Sequence, residues 1–223
     1  MGREQVRPVP GFFAGEIMKI MTQNAEYLSE CTYTTQLAQE LVHQDITLLA
    51  LRGGDLNSAQ QLVHSLEAQG KPCSWIWFPD GADNNGEETG TAFLCLDRVI
   101  RSVDRFSLNN RSNAERHTSN TALGIQLEGM DDWFYCISQY PEEEHPECWK
   151  LLNGCIAGKW LCSTVWLLGI QPQGSSTPSG SWFAAAEGRI LCSRRREIRS
   201  CTEEYIKSLC PHTKGAAIIE VEE

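Results

Sequence analysis

The feature that most constrains this chain is a series of short apolar runs, each strand-length and each closed by turn-forming residues. Ile17 to Thr22 (IMKIMT), Asp45 to Leu51 (DITLLAL), Cys73 to Phe78 (CSWIWF), Thr164 to Leu168 (TVWLL) and Ala216 to Val221 (AAIIEV) are of this kind. Apolar runs of this length, bounded by Gly, Pro, Asn or Asp, read as strands. DITLLAL is nearly continuous in its apolarity, as expected of a strand covered on both faces, and Gly53-Gly54 ends it. Segments of helical period lie between the runs. Thr34 to His43 places Leu37, Leu41 and Val42 on one face, and Asn57 to Gln69 does the same with Leu62, Val63 and Leu66. Gly70 stands where a helix C-cap belongs. An acidic loop, Pro141 to His145, opens a third helix over roughly Pro146 to Gly158.

The middle of the chain reads as hairpins. Thr91 to Leu96 and Val99 to Phe106 are expected to pair around Asp97-Arg98, and Thr121 to Glu128 with Trp133 to Ile137 around Gly129 to Asp132. Pro79 to Gly90, Asn109 to Asn120 and Gln171 to Ser181 carry the composition of loops. A short strand at Arg189 to Cys192 and a helical turn at Glu203 to Leu209 complete the reading. The order is βαβαβ, hairpin strands, βαβ and a last strand. It predicts an α/β (α+β) fold: a two-layer β-sandwich of mostly antiparallel sheets flanked by helices. Residues 1–15 are expected to be a flexible N-terminal segment and residues 16–223 a single domain.

Charge narrows the function classes. The formal net charge of −10 opposes the phosphate neutralisation that drives nonspecific nucleic-acid binding. No apolar run approaches the ~18 residues of a membrane span, and Met1 to Gly15 does not read as a secretory signal. The expectation is a cytoplasmic protein with reduced thiols. The ten Cys include no CxxC pair, which disfavours zinc. Cys148, Cys155 and Cys162 recur every seven residues, a helix-face spacing, and are expected to serve as small hydrophobes.

Six segments, in order, resemble the metal-dependent endonuclease/exonuclease/phosphatase superfamily. MKIMTQNAEYL is similar to its first strand, which ends in an Asn, and DITLLAL to its second, usually written DIVALQE. GTAFL, TALGIQLEGMDDWFYCI, STVWLLG and AAIIEVEE resemble the strand after a Gly-rich loop, the central hairpin, the strand leading into GDFN, and the strand after SDH. The resemblance implies the family's sandwich and its phosphoester hydrolysis. There a Glu and neighbouring acids hold a divalent metal, GDFN positions the attacking water, and a His near the terminus stabilises the phosphate. Carboxylates are the hard oxygen ligands Mg²⁺ requires, and the metal offsets phosphoryl charge.

Carried over residue by residue, that chemistry is mostly missing. Asn24 matches the first Asn. The metal Glu falls on Leu51, the His after the central hairpin on Ser138, and the GDFN Asp and Asn on Ile170 and Pro172, with Gly169 retained. RIDY meets Arg189-Ile190-Leu191-Cys192, and SDH meets Cys210 to Lys214, where His212 is the candidate His. Asn24 and His212 are thus the residual catalytic candidates, with no metal ligand and no cofactor expected. The implied function is a non-catalytic binding protein on that scaffold, its partner a protein or a phosphorylated ligand, neither membrane nor nucleic acid. The alternative is a weak Mg²⁺- or Mn²⁺-dependent phosphodiesterase, phosphatase or nuclease whose rebuilt site brings together acids such as Glu26, Asp55 and Asp97. An unrelated α/β binding module is a third reading.

Other conspicuous residues have ordinary readings. His117 falls in a polar loop, His43 and His64 in helices without acidic partners at ligand spacing, and Glu142 to Glu144 with His145 at a helix start favoured by the dipole. Arg194 to Arg196 fit a solvated face, Asp83 to Glu88 a loop too short for calcium, and Trp75 with Trp77 one packed strand face. Thiol titration of the denatured, unreduced protein is expected to find all ten Cys free. A stable deficit of several pairs contradicts the reduced-thiol reading.

Overall fold

The computed structural model describes residues 17–24, 31–82, 88–108, 121–137, 146–169, 182–185, 190–194, 198–202 and 217–222. The strands are β1 (Ile17–Asn24), β2 (Leu48–Gly54), β3 (Ser74–Ala82), β4 (Glu88–Cys95), β5 (Ile100–Ser107) and β6 (Thr121–Leu127), followed by β7 (Trp133–Ile137), β8 (Val165–Leu168), β9 (Phe183–Ala185), β10 (Ile190–Cys192), β11 (Ile198–Thr202) and β12 (Ala217–Glu222). The helices are α1 (Cys31–His43), α2 (Leu56–Ala68) and α3 (Pro146–Trp160). They build two six-stranded sheets, ordered β11-β12-β1-β2-β4-β3 and β5-β6-β7-β8-β10-β9. Each sheet has one parallel pair, β1–β2 and β7–β8, and is otherwise antiparallel. In both cases a helix, α1 or α3, lies between the parallel strands in sequence, as a parallel crossover requires.

Alternation along the strands sorts side chains into three cores. Met18, Ile20, Leu48, Ala50, Phe93, Leu123, Ile125, Phe134, Trp166, Leu168 and Ile219 fill the space between the sheets. The residues between them in sequence point outward. Met21, Leu49, Leu51 and Leu94 meet Leu41, Leu62 and Leu66 from α1 and α2, while Tyr135, Val165 and Leu167 meet Leu152 and Ile156 from α3. Full burial of each large aliphatic or aromatic side chain contributes about 1.5–3 kcal/mol, so the order is helix, sheet, sheet, helix, with apolar packing at every junction. Trp75 and Trp77 pack against the helix-side core, as their alternation implies.

The expected sandwich is present, with two local differences. The strands β4 and β5 do not form a hairpin: β4 lies between β2 and β3, and β5 pairs with β6 in the other sheet. Asp97-Arg98 therefore turns the chain from one sheet to the other. Residues with the same apolar alternation can satisfy either sheet, because the pattern encodes a face and not a partner. Cys155 and Cys162 are exposed, while Cys95, Cys136 and Cys192 are buried. Of the exposed pair, Cys155 lies on the outer face of α3, and Cys162 lies in the turn just after the helix. The segments expected at 1–15, 109–120, 171–181 and 203–209 lie outside the described residues.

The helix α3 is pinned to its sheet by a polar cluster. The ammonium of Lys159 meets Asp104 and Tyr135 Oη (2.6 Å) and lies 4.1 Å from the ring centre of Trp133. Tyr135 Oη donates to Asp104 Oδ2 at 2.8 Å. Burial raises the Tyr135 phenol above its ordinary range, so it stays a donor. Gly124, opposite Tyr135 in register, leaves room for that ring, and a Cβ there would overlap its edge. Gly124→Ala is expected to displace Tyr135, loosen α3 and lower stability by about 1–3 kcal/mol, read as a shift of the urea midpoint. An unchanged midpoint refutes the close-packed arrangement.

Candidate functional site

The residues with chemistry gather at one rim of the sandwich, where β1 and β2 end, β4 begins, and β8 leaves the opposite sheet. Asn24 is the last residue of β1 and stands opposite Arg52 in the parallel register. Leu48 and Ala50 point between the sheets, so Arg52, two residues on, shares that face. Its guanidinium crosses the gap, and Nη1 donates to the Gly169 carbonyl at 3.3 Å. Only 8% of Arg52 is exposed. Leu51 points the other way, into the α2-side core. The strand β2 therefore presents Arg52 to the rim, while Leu51, where the resemblance put the family's Glu, faces α2. A carboxylate at 51 would face α2.

Gly169 closes the opposite wall. Its φ of +76° is in the left-handed region, and a Cβ there would lie 3.0 Å from Thr22 Oγ1 and 3.6 Å from Cys136 Sγ. Thr22 is fully buried and its hydroxyl finds no hydrogen-bond partner among the described residues. Burial pushes the Cys136 thiol up to about 12, with Arg52 opposing and Asp80 adding to the effect. Cys136 is therefore a neutral thiol at physiological pH.

Asp80, near the end of β3, is the buried carboxylate of this rim, 7% exposed. Its Oδ2 accepts from Thr91 Oγ1 on β4 at 2.6 Å, and its Oδ1 accepts from Thr121 Oγ1 on β6 in the opposite sheet. Burial pushes its pKa up to about 6, against the two threonine hydrogen bonds and the charges of Arg105 and Arg52. Beside it, Arg105 Nη2 on β5 donates to the Pro79 carbonyl at 3.3 Å, with its guanidinium carbon 3.2 Å above the centre of the Phe78 ring.

The other acids named from sequence do not join this rim. Asp55 caps α2, its carboxylate accepting from Ser58 N at 2.8 Å and Ser58 Oγ at 2.7 Å. Burial alone would raise its pKa, but the Ser58 hydrogen bonds outweigh it and the group is held below the usual carboxylate value. Asp97 follows the far end of β4, is 57% exposed and faces Lys71 at 3.8 Å. The proposed convergence of Asp55 and Asp97 is therefore corrected: they sit on the helix side and at the opposite end of the sheet. Glu26, His117, Ser138, Ile170, Pro172 and His212 lie outside the described residues. Among the described residues, no three His, Cys, Asp or Glu side chains gather to hold a metal ion.

Arg52 and Asp80 were the residues sequence reasoning missed. Arg52 left one signal: a charged residue closing a strand otherwise apolar on both faces. Asp80 left none, because it sits in a stretch whose Pro, Asp and Gly content reads as loop.

The paired mixed sheets, each carrying helices on its outer face, define the fold. No family model matches the sequence, and no curated protein matches it. Solved structures do. An endonuclease/exonuclease/phosphatase family protein from Leptotrichia buccalis C-1013-b superposes with a TM-score of 0.65 at 12% identity, over 92% of this chain and 98% of that one. The endonuclease/exonuclease/phosphatase from Bacteroides vulgatus gives 0.61 at 12% identity, over 93% and 99%. Truncated TDP2 from Caenorhabditis elegans gives 0.60 at 12% identity, over 93% and 98%. This chain has the endonuclease/exonuclease/phosphatase fold.

The register yields a paired test. Arg52→Glu would set a carboxylate beside Asp80 at the rim. The variant is expected to melt below the parent and to recover with millimolar Mn²⁺ through binding linkage. Leu51→Glu would bury an unpaired charge against α2, costing about 3 kcal/mol or more, and no divalent cation is expected to restore it. Equal responses of the two variants to Mn²⁺ in thermal melts contradict the assignment of faces.

Proposed function

We propose that this chain is a non-catalytic binding protein on the phosphoesterase scaffold, with its ligand or partner meeting the Arg52 rim. The observation that carries the reading is the Arg52 guanidinium, held on the Gly169 carbonyl between the two sheets. The fold family uses carboxylates here to hold a divalent metal. A fixed cation repels one.

The other donors agree. Among the described residues, the Gly169 carbonyl accepts from Arg52, Thr22 offers one neutral hydroxyl, the Cys136 thiol is held neutral, and both oxygens of Asp80 accept from threonines. Mg²⁺ gives up its water reluctantly and prefers charged oxygen ligands, so this set does not fit the metal and no hydrolytic step is routed through it. A protein or a phosphorylated ligand is the partner class of this reading.

Isothermal titration of the native chain with Mg²⁺ or Mn²⁺ is expected to show no one-to-one heat at millimolar metal. Parallel assays on a phosphomonoester and a phosphodiester chromogenic substrate are expected to stay at the uncatalysed rate. Tight stoichiometric binding with metal-dependent turnover would overturn the reading in favour of a rebuilt phosphoesterase.

A further inference from the structure

The two sheets are joined through the apolar core along most of their length, but at the rim the joint is polar. Asp80 and Thr91 belong to one sheet and Thr121 to the other. We propose that Asp80 is a proton-controlled latch between the sheets, its two carboxylate oxygens tying Thr91 on β4 and Thr121 on β6 to the end of β3. This device is independent of whether the rim binds a ligand.

The geometry makes the latch specific to one side chain. One oxygen takes its hydrogen bond from a neighbouring strand and the other from the opposite layer, so the Thr121 bond is lost if the sheets part at this edge while the Thr91 bond holds Asp80 in place. The groups facing it are Thr91 from β4, Thr121 from β6, Arg52 from β2, Arg105 from β5 and Cys136 from β7. The threonine hydroxyls and the two guanidiniums favour the charged form, and burial favours the neutral one. Burial prevails. A second tie lies beside it: Arg105 from β5 reaches the Pro79 carbonyl and the Phe78 ring on β3. That contact contains no carboxyl, so proton control rests on Asp80.

The sign follows from linkage. The closed rim holds the Asp80 proton up to about pH 6, whereas a carboxyl opened to water releases it near 3.8. The closed state is therefore favoured most below about pH 4, and the advantage is lost as pH rises through about 6. Between those limits, opening of the rim should become ~100-fold more frequent. A latch of neutral groups would show no such dependence.

The test compares the native chain with Asp80→Asn, which keeps shape and cannot titrate, its amide NH₂ donating to one threonine hydroxyl in place of an accepted bond. Amide exchange of β3, β4 and β6 is followed from pH 4 to 7.5. The ratio of opening constants, native over variant, is expected to rise ~100-fold across that range, with its midpoint near 6, and carboxyl carbon resonances should place the Asp80 titration at the same pH. Thr121→Val is the second variant. It removes a hydrogen bond to the charged form, so its Asp80 midpoint should move above the native one. A ratio independent of pH, or an Asp80 midpoint near 4, overturns the proposal. If Asp80→Asn does not fold, the native and Thr121→Val titrations decide alone, and equal midpoints count against the latch.

Discussion

Face-to-face packing of the two sheets is the constraint on which the rest of the molecule depends. Met18, Ile20, Leu48, Ala50, Phe93, Phe134, Trp166 and Leu168 close the inner faces against each other. Packed sheets stand about 10 Å apart, a distance a long side chain can cross and a short one cannot. Arg52 crosses it to reach Gly169. Asp80, shorter, needs a partner reaching back, and Thr121 supplies it. Each polar contact at the rim is thus a consequence of how closely the apolar faces approach behind it.

The polar rim costs stability where an apolar one would not. A buried ion pair repays its desolvation only when its remaining hydrogen-bonding capacity is also satisfied. Asp80 shows the balance directly: two hydrogen bonds and two guanidiniums leave its pKa still pushed up to about 6. Arg52 makes the same point with opposite charge. Its guanidinium is buried at the same rim and held on the Gly169 carbonyl.

Much of the framework was legible from local pattern. Ile17 to Thr22, DITLLAL, CSWIWF and TVWLL are strands, and Thr34 to His43, Asn57 to Gln69 and Pro146 onward are helices, each close to the expected bounds. The failures have one origin. Val99 to Phe106 was expected to pair with its neighbour in sequence and instead joins the other sheet. Leu51 was matched to a motif position by counting letters, yet it faces α2. Cys155 has a helical position as its spacing implies, but that face meets solvent, and Cys162 lies beyond the helix. In each case periodicity gave the correct face relation and left open which neighbour the face would meet.

The amino-acid sequence alone determined the kinds of element, their order and the family of fold, because strand and helix periods are properties of local steric geometry and need no partner. Only the tertiary structure decided that Arg52 and not Leu51 looks into the rim, and that Asp80 bridges two sheets. Those facts rest on contacts between residues 41 and 117 positions apart. Such contacts are created when the apolar faces close and are recorded in no short stretch of the chain.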